Sequence, residues 1–219
     1  MSEQIRVLVV DDDALVRAGL SMLLAGAEGI AVVGEAADGS DVAQAVAEHE
    51  PDIVLMDIRM PGMDGLAATE LLRGRDSAPQ IIVLTTFDAD DHVLRALRAG
   101  AAGFLLKDTP PPEILRAIRL VAAGEAMLSP AVTRRLIEHV ADDGLGARRS
   151  RACDLLDRLT DREREVAVAI GQGKSNADIA GELYMSVATV KAHVSRLLQK
   201  LELDNRVQIA LLAHDAGLT

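Results

Sequence analysis

The stretch DIVLMDIRMPGMDG, residues 52–65, decides the fold of the N-terminal half of the chain. Its apolar run IVLM ends on Asp57 and is followed by a loop that contains one proline and two glycines. A short apolar run bounded by turn-forming residues predicts a buried parallel strand. Because ligands bind at the carboxyl ends of the strands in open α/β sheets, Asp57 is a candidate site residue.

Composition narrows the class of protein. The chain has 219 residues, of which 49% are hydrophobic and 26% charged, as expected for one large or two small globular domains. No apolar run approaches the roughly 18 residues that span a bilayer, and MSEQIRVLVV does not have the pattern of a signal peptide. A single cysteine, Cys153, cannot form an internal disulfide. We therefore expect a cytoplasmic protein with no membrane partner.

The net charge of −11 is distributed unevenly. Residues 1–124 carry a net charge of −10, residues 125–158 carry 0, and residues 159–219 carry −1. A strongly acidic domain is repelled by nucleic acid. The C-terminal part of the chain is not, and it can approach DNA if its few cations cluster on one face.

Residues 1–124 alternate between strand-like and helical patterns. Strands are predicted over residues 5–10, 30–35, 53–56, 81–85 and 103–106. Helices are predicted over residues 14–26, 40–49, 64–74, 89–99 and 111–123. Five successive βα units predict an α/β doubly wound, flavodoxin-like domain with a five-stranded parallel sheet.

Polar residues follow the predicted strands at four places. They are Asp11 and Asp12 after the first strand, Asp57 after the third, Thr85 at the end of the fourth and Lys107 after the fifth. Because the carboxyl ends of parallel strands share one edge, we expect these side chains to converge. Crowded carboxylates need a cation, and oxygen ligands suit Mg²⁺. A lysine and a hydroxyl beside them form a cradle for a phosphoryl group on an aspartate.

A helix cap is the simpler explanation of any single strand-end acid. We predict this role for Asp13, which immediately precedes the helix that begins at Ala14. Capping does not explain why Thr85 and Lys107 end two other strands. The complete set therefore favours a phosphoryl site.

Four segments, IRVLVVDDDALVRAGL, DIVLMDIRMPGMDG, IIVLTTFDADD and AGAAGFLLKD, closely resemble the receiver domain of two-component response regulators. The resemblance implies that Asp57 accepts a phosphoryl group from a sensor histidine kinase. It also implies that Asp11, Asp12 and Asp57, with the backbone carbonyl of Arg59, bind Mg²⁺.

The same resemblance assigns roles to the last two strands. It implies that Thr85 and Lys107 bind the phosphoryl oxygens and that Thr85 moves toward them on activation. Phe104 occupies the position at which many receivers carry a switch tyrosine, so it can rotate and pack but has no hydroxyl. Asp108 follows Lys107 where many receivers have proline.

Residues 125–154 are predicted to link two domains. A short helix is expected near Pro130, because proline is tolerated in a first helical turn. The following sequence ADDGLGARRSRACD, residues 141–154, predicts a flexible tether. Its three arginines could touch DNA, but a solvated tether is the preferred interpretation.

Residues 155–219 predict an all-α helix-turn-helix domain. Thr160 with Glu163 and Ser175 with Asp178 are capping-box patterns that open the first two helices. A short break, YMSV, then leads into the third helix, VATVKAHVSRLLQKL. A short second helix, a tight turn and a longer third helix are the arrangement that reads DNA.

The third helix has two distinct faces. An apolar stripe is expected to pack on the other helices and comprises Val187, Val190, Val194, Leu197, Leu198 and Leu201. The opposite face, small enough to enter a major groove, comprises Ala188, Lys191, Ala192, Ser195 and Gln199. Residues placed for backbone phosphates are Thr189, His193, Arg196 and Lys200. Periodicity alone leaves a plain three-helix interaction domain as the alternative.

The segments LTDREREV, GKSNADIA, SVATVKAHVSRLLQKL and DNRVQ closely resemble the LuxR-type helix-turn-helix of the NarL/FixJ regulators. The resemblance implies that Lys191, Ala192 and Ser195 face DNA bases. Residues implied to support phosphate contacts or the turn are Asn176, Ser186, Thr189 and Lys200. The last helix, RVQIALLAHDAGL, has more apolar residues than a covering helix needs. In this family such a helix pairs two DNA-binding domains, which favours an inverted-repeat site.

Three functions are consistent with these patterns. The leading hypothesis is a transcription regulator in which phosphorylation of Asp57 promotes a homodimer that binds promoter DNA. The second is a DNA-binding regulator with the same domains but no dependence on phosphate. The third is a Mg²⁺-dependent phosphatase, which typically needs a second acid two residues after the nucleophile, where this chain has Arg59. We therefore do not expect an enzyme.

Overall fold

The chain folds into two compact units, Met1–Leu136 and Ile137–Thr219, each with its own hydrophobic core. A computed structural model describes residues 4–73, 78–85, 95–125, 127–128 and 145–218, without the side chains of 127–128 and 145–150. The predicted short helix near Pro130 lies outside the described residues. No helix in the described ranges is both long enough and apolar enough to span a bilayer.

The N-terminal unit is built on a parallel sheet in the order β2-β1-β3-β4-β5-β6. Its strands are β1 (Ile5–Val10), β2 (Ile30–Ala36), β3 (Ile53–Asp57), β4 (Gln80–Thr85), β5 (Gly103–Leu106) and β6 (Met127–Leu128). The helices are α1 (Ala14–Ala25), α2 (Gly39–His49), α3 (Gly65–Arg73), α4, described over residues 95–98, and α5 (Pro111–Ala122). The predicted doubly wound five-stranded sheet is confirmed. The two-residue β6, which was not predicted, pairs with β5.

Helices cover this sheet because successive strand residues point to opposite faces. On one face, Val7 and Val9 pack in a core cluster with Leu24 of α1 and Ile118 of α5. On the other face, the side chain of Met56 lies against the backbone of α3. The apolar runs of β3, β4 and β5 are buried throughout, as a strand covered on both sides requires.

The order of the strands brings the ends of β1 and β3 together. β1 pairs with β2 on one side and with β3 on the other, and Val10 is the register partner of Met56. The chain therefore reverses its winding direction between β1 and β3, which opens a crevice at their carboxyl ends. Asp11 follows β1 and Asp57 ends β3, so both residues lie at that crevice.

The C-terminal unit is helical. Its helices are α6 (Leu145–Leu156), α7 (Asp161–Gly171), α8 (Asn176–Glu182), α9 (Val187–Leu201) and α10 (Arg206–Asp215). Both predicted capping boxes are confirmed, with Thr160 at the start of α7 and Ser175 at the start of α8. One core cluster joins all five helices and includes Leu156, Ile170, Ile179, Val194 and Ile209.

The prediction of a flexible tether is wrong for residues 145–154, which belong to α6. Ala152 and Leu156 are buried in the core of the C-terminal unit, and Cys153 and Leu155 pack against it. Four apolar side chains within five residues supply enough buried area to hold this helix on the unit. The glycines and charged residues that precede Ala152 made the segment resemble a tether, so the short apolar cluster was not recognised as part of a helix.

One expectation about an apolar surface is also wrong. Val187 was expected to pack, but 43% of its surface is exposed at the first residue of α9. In the final helix, α10, Val207, Ile209 and Ala213 are buried in the unit itself, whereas Leu211 and Leu212 are half-buried. The expectation that this helix pairs two DNA-binding domains stays a prediction.

Candidate functional site

Three residues from three strand ends meet at the crevice of the N-terminal unit. The Lys107 Nζ atom lies 2.7 Å from Asp11 Oδ2 and 3.0 Å from Asp57 Oδ2. The backbone holds the lysine in place, because its N–H donates to the Thr85 carbonyl at 2.7 Å. The structure thus brings together four of the five residues that the sequence predicted to converge, Asp11, Asp57 and Lys107 through their side chains and Thr85 through its backbone carbonyl. The fifth, Asp12, lies close to the two other acids.

The charges of this cluster are coupled. Asp57 is only 3% exposed, and burial raises the pKa of its carboxyl although hydrogen bonds from Lys107 and the Ile58 backbone act to lower it. Burial acts to lower the pKa of the Lys107 ammonium, but its contacts with Asp11 and Asp57 raise it overall. The cluster therefore places the Lys107 ammonium between two carboxyl groups, and burial destabilises the charged form of one of them, Asp57.

Asp11, Asp12 and Asp57 offer one carboxylate oxygen each within 4.8 Å of one another. Asp11 and Asp57 are buried, whereas Asp12 is exposed, so the group is enclosed by protein on one side and open to water on the other. A donor set of carboxylate oxygens with an open side fits Mg²⁺, which retains several water ligands in proteins. The bound ion would neutralise part of the negative charge that a phosphoryl group brings.

The neighbouring acid Asp13 has a different role. Its side chain accepts a hydrogen bond from the Leu15 N–H at 2.8 Å, and it is the N-cap of α1. The prediction of a cap is confirmed. The Asp13 N–H in turn donates to Asp11 Oδ1 at 3.0 Å, so the cap also helps to orient a carboxylate of the cluster.

Thr85 and Phe104 are buried on neighbouring strands, 2% and 0% exposed. Phe104 is the register partner of Val83, and Val83 and Thr85 point to the same face of the sheet. Phe104 therefore lies on the face of the sheet to which Thr85 also points. This placement is compatible with the predicted switch, which stays a prediction. Arg59, whose backbone carbonyl was assigned to the metal, is exposed in the loop after β3.

Asp38, which the sequence analysis missed, connects two loops beside the crevice. It is the N-cap of α2 and accepts hydrogen bonds from the backbone and hydroxyl of Ser40, at 2.9 and 2.8 Å. It also accepts from the backbone N–H groups of Gly62 at 2.8 Å and Met63 at 3.0 Å, in the loop that follows Asp57. These donors hold the pKa of Asp38 well below its usual range. The motif Asp-Gly before a helix was an available N-cap signal.

We expect Asp38→Ala to lower the midpoint of thermal unfolding of the N-terminal unit by several degrees at pH 7. The low native pKa means that Asp38 contributes stability above the carboxyl pKa of the unfolded chain, and that this contribution is lost as pH falls through the native value. The loss measured by calorimetry should therefore shrink in acid. Asp41→Ala, an exposed acid in the first turn of the same helix, is the matched control. An effect of Asp38→Ala that does not change with pH contradicts this account.

Arg17, which no pattern in the sequence singled out, supports the backbone of Asp11 from α1. Its Nη1 donates to the Asp11 carbonyl at 2.6 Å, and its Nε lies 3.5 Å from Glu35 Oε2. Ser21, one turn further along α1, donates to the other oxygen of Glu35 at 2.6 Å. Arg17 thus connects the backbone of the crevice to β2, a role that no spacing in the sequence indicated.

In the C-terminal unit, α9 presents the face that was predicted to enter DNA. Its predicted base-facing residues are all exposed: Lys191, Ala192 and Ser195. The predicted phosphate-facing residues Thr189, Arg196 and Lys200 are exposed, and His193 is half-buried. Ser186 is the N-cap of α9, since its hydroxyl accepts from the Thr189 N–H at 3.0 Å. The exposed face is therefore continuous from the first turn of the helix to its end.

Asn176 does not belong to this surface. It is 1% exposed, and its Oδ1 accepts from Nη1 of Arg206 at 2.6 Å. Arg206 is itself buried and also donates to the carbonyl of Lys174, so it links the start of α10 to the turn before α8. Of the two predicted roles for Asn176, a phosphate contact or support of the turn, its burial leaves the second.

Lys200 is paired within the unit. Its Nζ lies 2.7 Å from Glu163 Oε2, and this contact, with the Thr160 backbone hydrogen bond, lowers the pKa of Glu163 to about 2. A lysine that contacts DNA phosphate would have to share its ammonium with this carboxylate. The ion pair therefore weakens the contribution that Lys200 can make to DNA binding.

The Glu163→Gln variant should bind DNA about two- to fivefold more tightly, because the freed Lys200 gains a phosphate contact. The plot of the logarithm of the binding constant against the logarithm of the salt concentration should become steeper by about one unit of slope. Glutamine keeps the capping box, since its carbonyl can still accept from the Thr160 N–H. Glu165→Gln, in the same helix and paired with Arg162, provides the control. Titration of a labelled duplex at several salt concentrations measures both quantities. Unchanged or weaker binding by Glu163→Gln rules out a phosphate contact by Lys200.

Comparison with known families divides the chain into the same two parts. Residues 7–119 match the family described as response regulator receiver domain. Residues 157–213 match the family described as bacterial regulatory proteins, luxR family. Asp11, Asp57 and Lys107 lie in the first match, and the whole of α9 lies in the second.

Individual relatives are similar over nearly their entire length. The transcriptional regulatory protein LiaR of Bacillus subtilis (strain 168) is 40% identical over 210 residues, which cover 96% of this chain and 97% of LiaR. The nitrate/nitrite response regulator protein NarL of Escherichia coli (strain K12) is 37% identical over 212 residues, covering 97% of this chain and 96% of NarL. The crystal structure of response regulator ChrA, from a heme-sensing two-component system, is similar with a TM-score of 0.54 and 35% identity over 99% of both chains.

Proposed function

The chain belongs to the NarL/FixJ family of response regulators, and from that premise we propose that transfer of a phosphoryl group to Asp57 controls its binding to promoter DNA. The donor is a sensor histidine kinase, and the site of action is the cytoplasm. The observation that carries the proposal is the bridge of Lys107 between Asp11 and Asp57, in a chain whose other unit is a helix-turn-helix.

The cluster has the parts that phosphoryl transfer needs. An oxygen of the Asp57 carboxylate attacks phosphorus, the bond from phosphorus to the imidazole nitrogen of the donor breaks, and the imidazole leaves. The Lys107 ammonium, already 3.0 Å from Asp57, is placed to contact the phosphoryl oxygens. Asp11, Asp12 and Asp57, with the Arg59 backbone carbonyl, would hold Mg²⁺, which supplies further positive charge.

The transfer changes the charge at a buried position. A phosphoryl group adds about −1.5 to −2 charges at neutral pH. Thr85 and Lys107 respond to this charge, and Phe104, buried on the strand next to Thr85, passes the change to the surface of the receiver. The protein acts as a switch rather than an enzyme, because its phosphoryl chemistry is confined to its own Asp57.

The output is a homodimer on DNA. A two-fold symmetric dimer matches an inverted-repeat site, because each helix-turn-helix meets an equivalent half-site. Lys191, Ala192 and Ser195 face the bases, and Thr189, His193, Arg196 and Lys200 lie toward phosphates, with Ser186 capping the helix that carries them. Because this face is small and has few cations, the shape of the DNA contributes to recognition.

The test is a selection of sheared genomic DNA by the full chain, with and without beryllofluoride and Mg²⁺ as a mimic of the aspartyl phosphate. We expect sequencing to recover fragments that share an inverted repeat, enriched only in the presence of the mimic. Equal recovery in both arms would mean that the chain reads DNA without control by Asp57. Recovery of no DNA in either arm would overturn the proposal.

A further inference from the structure

An exposed apolar pair lies at the entrance to α9. Five large apolar side chains are exposed among the described residues, and two of them, Tyr184 and Val187, are three positions apart in the turn and first residue of this helix. Tyr184 is 97% exposed and Val187 is 43% exposed. We call these two residues the turn patch. At this exposure the Tyr184 side chain is hardly covered by the C-terminal unit, and a large aromatic surface faces water.

The backbone at Tyr184 is also unfavourable for a tyrosine. Its φ is +53°, in the left-handed region that glycine and asparagine adopt most easily. The position demands this conformation, because the Met185 N–H donates to the Ala180 carbonyl at 3.0 Å and closes the C-terminal turn of α8. Glycine fills the comparable place at Gly173, where φ is +76°. Glu202 adopts the same conformation at the end of α9, with φ of +55°, so the exposure of the Tyr184 ring rather than its backbone indicates a role outside the folded unit.

The turn patch adjoins the face of α9 assigned to DNA. Tyr184 precedes the N-cap Ser186 by two residues, and Val187 precedes the base-facing Lys191 by one helical turn. In a helix-turn-helix, the N-terminal residues of the recognition helix reach the base edges. If α9 enters a groove in this way, the turn before it would lie beside the sugar-phosphate backbone at the edge of the groove.

Most cations of the C-terminal unit are already paired within it. Five of the seven lysines and arginines in residues 159–219 already have an acidic, amide or carbonyl partner within the unit: Arg162, Arg164, Lys174, Lys200 and Arg206. The same residues carry a net charge of −1. Attraction to phosphates is therefore weak, and contacts that do not depend on charge contribute a larger share of the affinity.

We propose that the turn patch is part of the DNA interface. The Tyr184 ring lies against deoxyribose, its hydroxyl donates to a phosphate oxygen, and the methyl groups of Val187 contact the apolar edge of the groove, where thymine presents its methyl group. The proposal rests on the function proposed above. It adds two contact residues that the patterns in the sequence did not reveal.

The chain carries its own reporter for this contact. Tyr184 is the sole tyrosine of the 219 residues, and the chain has no tryptophan, so its tyrosine fluorescence comes from this one ring. The probe is a duplex recovered in the genomic selection, added to the full chain with beryllofluoride and Mg²⁺. Acrylamide quenching then measures how accessible the ring is, while the anisotropy of the labelled duplex measures binding. We expect the quenching constant to fall at least about twofold as the duplex saturates the protein.

Substitutions separate contact from folding. Tyr184→Asn should bind the duplex about tenfold more weakly while its thermal unfolding midpoint stays equal or rises, because asparagine relieves the left-handed strain. Tyr184→Phe should lose about threefold in affinity and show how much the hydroxyl contributes. Val187→Ala should lose about threefold, whereas Leu71→Ala, at a similarly exposed position (45%) in the N-terminal unit, should not change binding.

The outcomes distinguish this proposal from the one on which it rests. If the duplex binds, the ring stays accessible and Tyr184→Asn binds normally, the turn patch does not contact DNA, and a protein partner becomes its alternative occupant. If the wild-type chain binds no duplex at all, the proposed DNA-binding function and this proposal are both overturned.

Discussion

Asp57→Asn should lose all stable labelling by a small phosphodonor such as acetyl phosphate in the presence of Mg²⁺. The amide cannot act as the nucleophile, and no other carboxylate in the described residues lies within 3.0 Å of Lys107 except Asp11, which is buried in the same cluster. Mass spectrometry of the intact chain gives the readout, and beryllofluoride should no longer increase DNA binding. The effect is a complete loss rather than a reduction, because the covalent acceptor itself is removed.

The control for this variant is Asp13→Asn. It removes one carboxylate from the loop between β1 and α1, which also carries Asp11, but asparagine remains a good N-cap and can still accept from the Leu15 N–H. It should therefore keep both labelling and stability. Labelling of Asp57→Asn at the wild-type level would show that the phosphoryl group goes to another residue.

Asp57→Asn should also stabilise the fold at neutral pH. Burial raises the pKa of Asp57 in the native state, so ionisation of this carboxyl destabilises the fold. The free energy of unfolding therefore falls as pH rises from the carboxyl pKa of the unfolded chain through that of the native state. An amide avoids that cost, and Lys107 retains Asp11 as a partner. We expect a thermal midpoint for Asp57→Asn a few degrees above that of the wild type at pH 7, with the difference vanishing in acid. A lower midpoint at pH 7 would show that the Lys107 ion pair outweighs burial.

The sheet and its crevice could be predicted because they depend on local patterns. Apolar runs ending on polar residues defined the strands, and parallel winding then required Asp11, Asp57 and Lys107 to converge. The clamp at Asp38 could not be predicted in the same way. Its capping role has a local signal in the sequence. Its hydrogen bonds to Gly62 and Met63, however, connect residues that are 24 and 25 positions away, and only the folded chain brings these residues together.

Errors in the C-terminal unit have a related cause. Whether a helical face is buried depends on how far the neighbouring helices extend, which periodicity does not encode. Val187 follows the apolar stripe but is exposed at the first residue of α9, whereas α6 is buried through its contact with α10. Tyr184 was passed over because an exposed aromatic residue in a turn carries no periodic signal. Val187 and Tyr184 are informative about function because apolar side chains are exposed there, against the usual preference for burial.

Ala192→Glu should reduce DNA binding by about 100-fold or more without destabilising the protein. Ala192 is exposed on α9, and glutamate is a good helix former, so the folded unit accommodates the change. At the groove, however, a carboxylate meets the field of the phosphates and is desolvated without a partner. It would also pair with Arg196, four residues further along the helix, and so remove a cation from the interface.

Binding is measured by titrating a labelled duplex from the genomic selection, with thermal unfolding of each variant recorded in parallel. Ala47→Glu makes the same substitution at an exposed position of α2 and changes the total charge equally. If both variants weaken binding to the same extent, total charge rather than the α9 face is responsible. A fall confined to Ala192→Glu, with labelling of Asp57 intact, places the DNA-reading surface on α9 and separates it from the phosphoryl site. The two activities then reside in different units, and Asp57 can affect DNA only through a change in the receiver surface or in assembly.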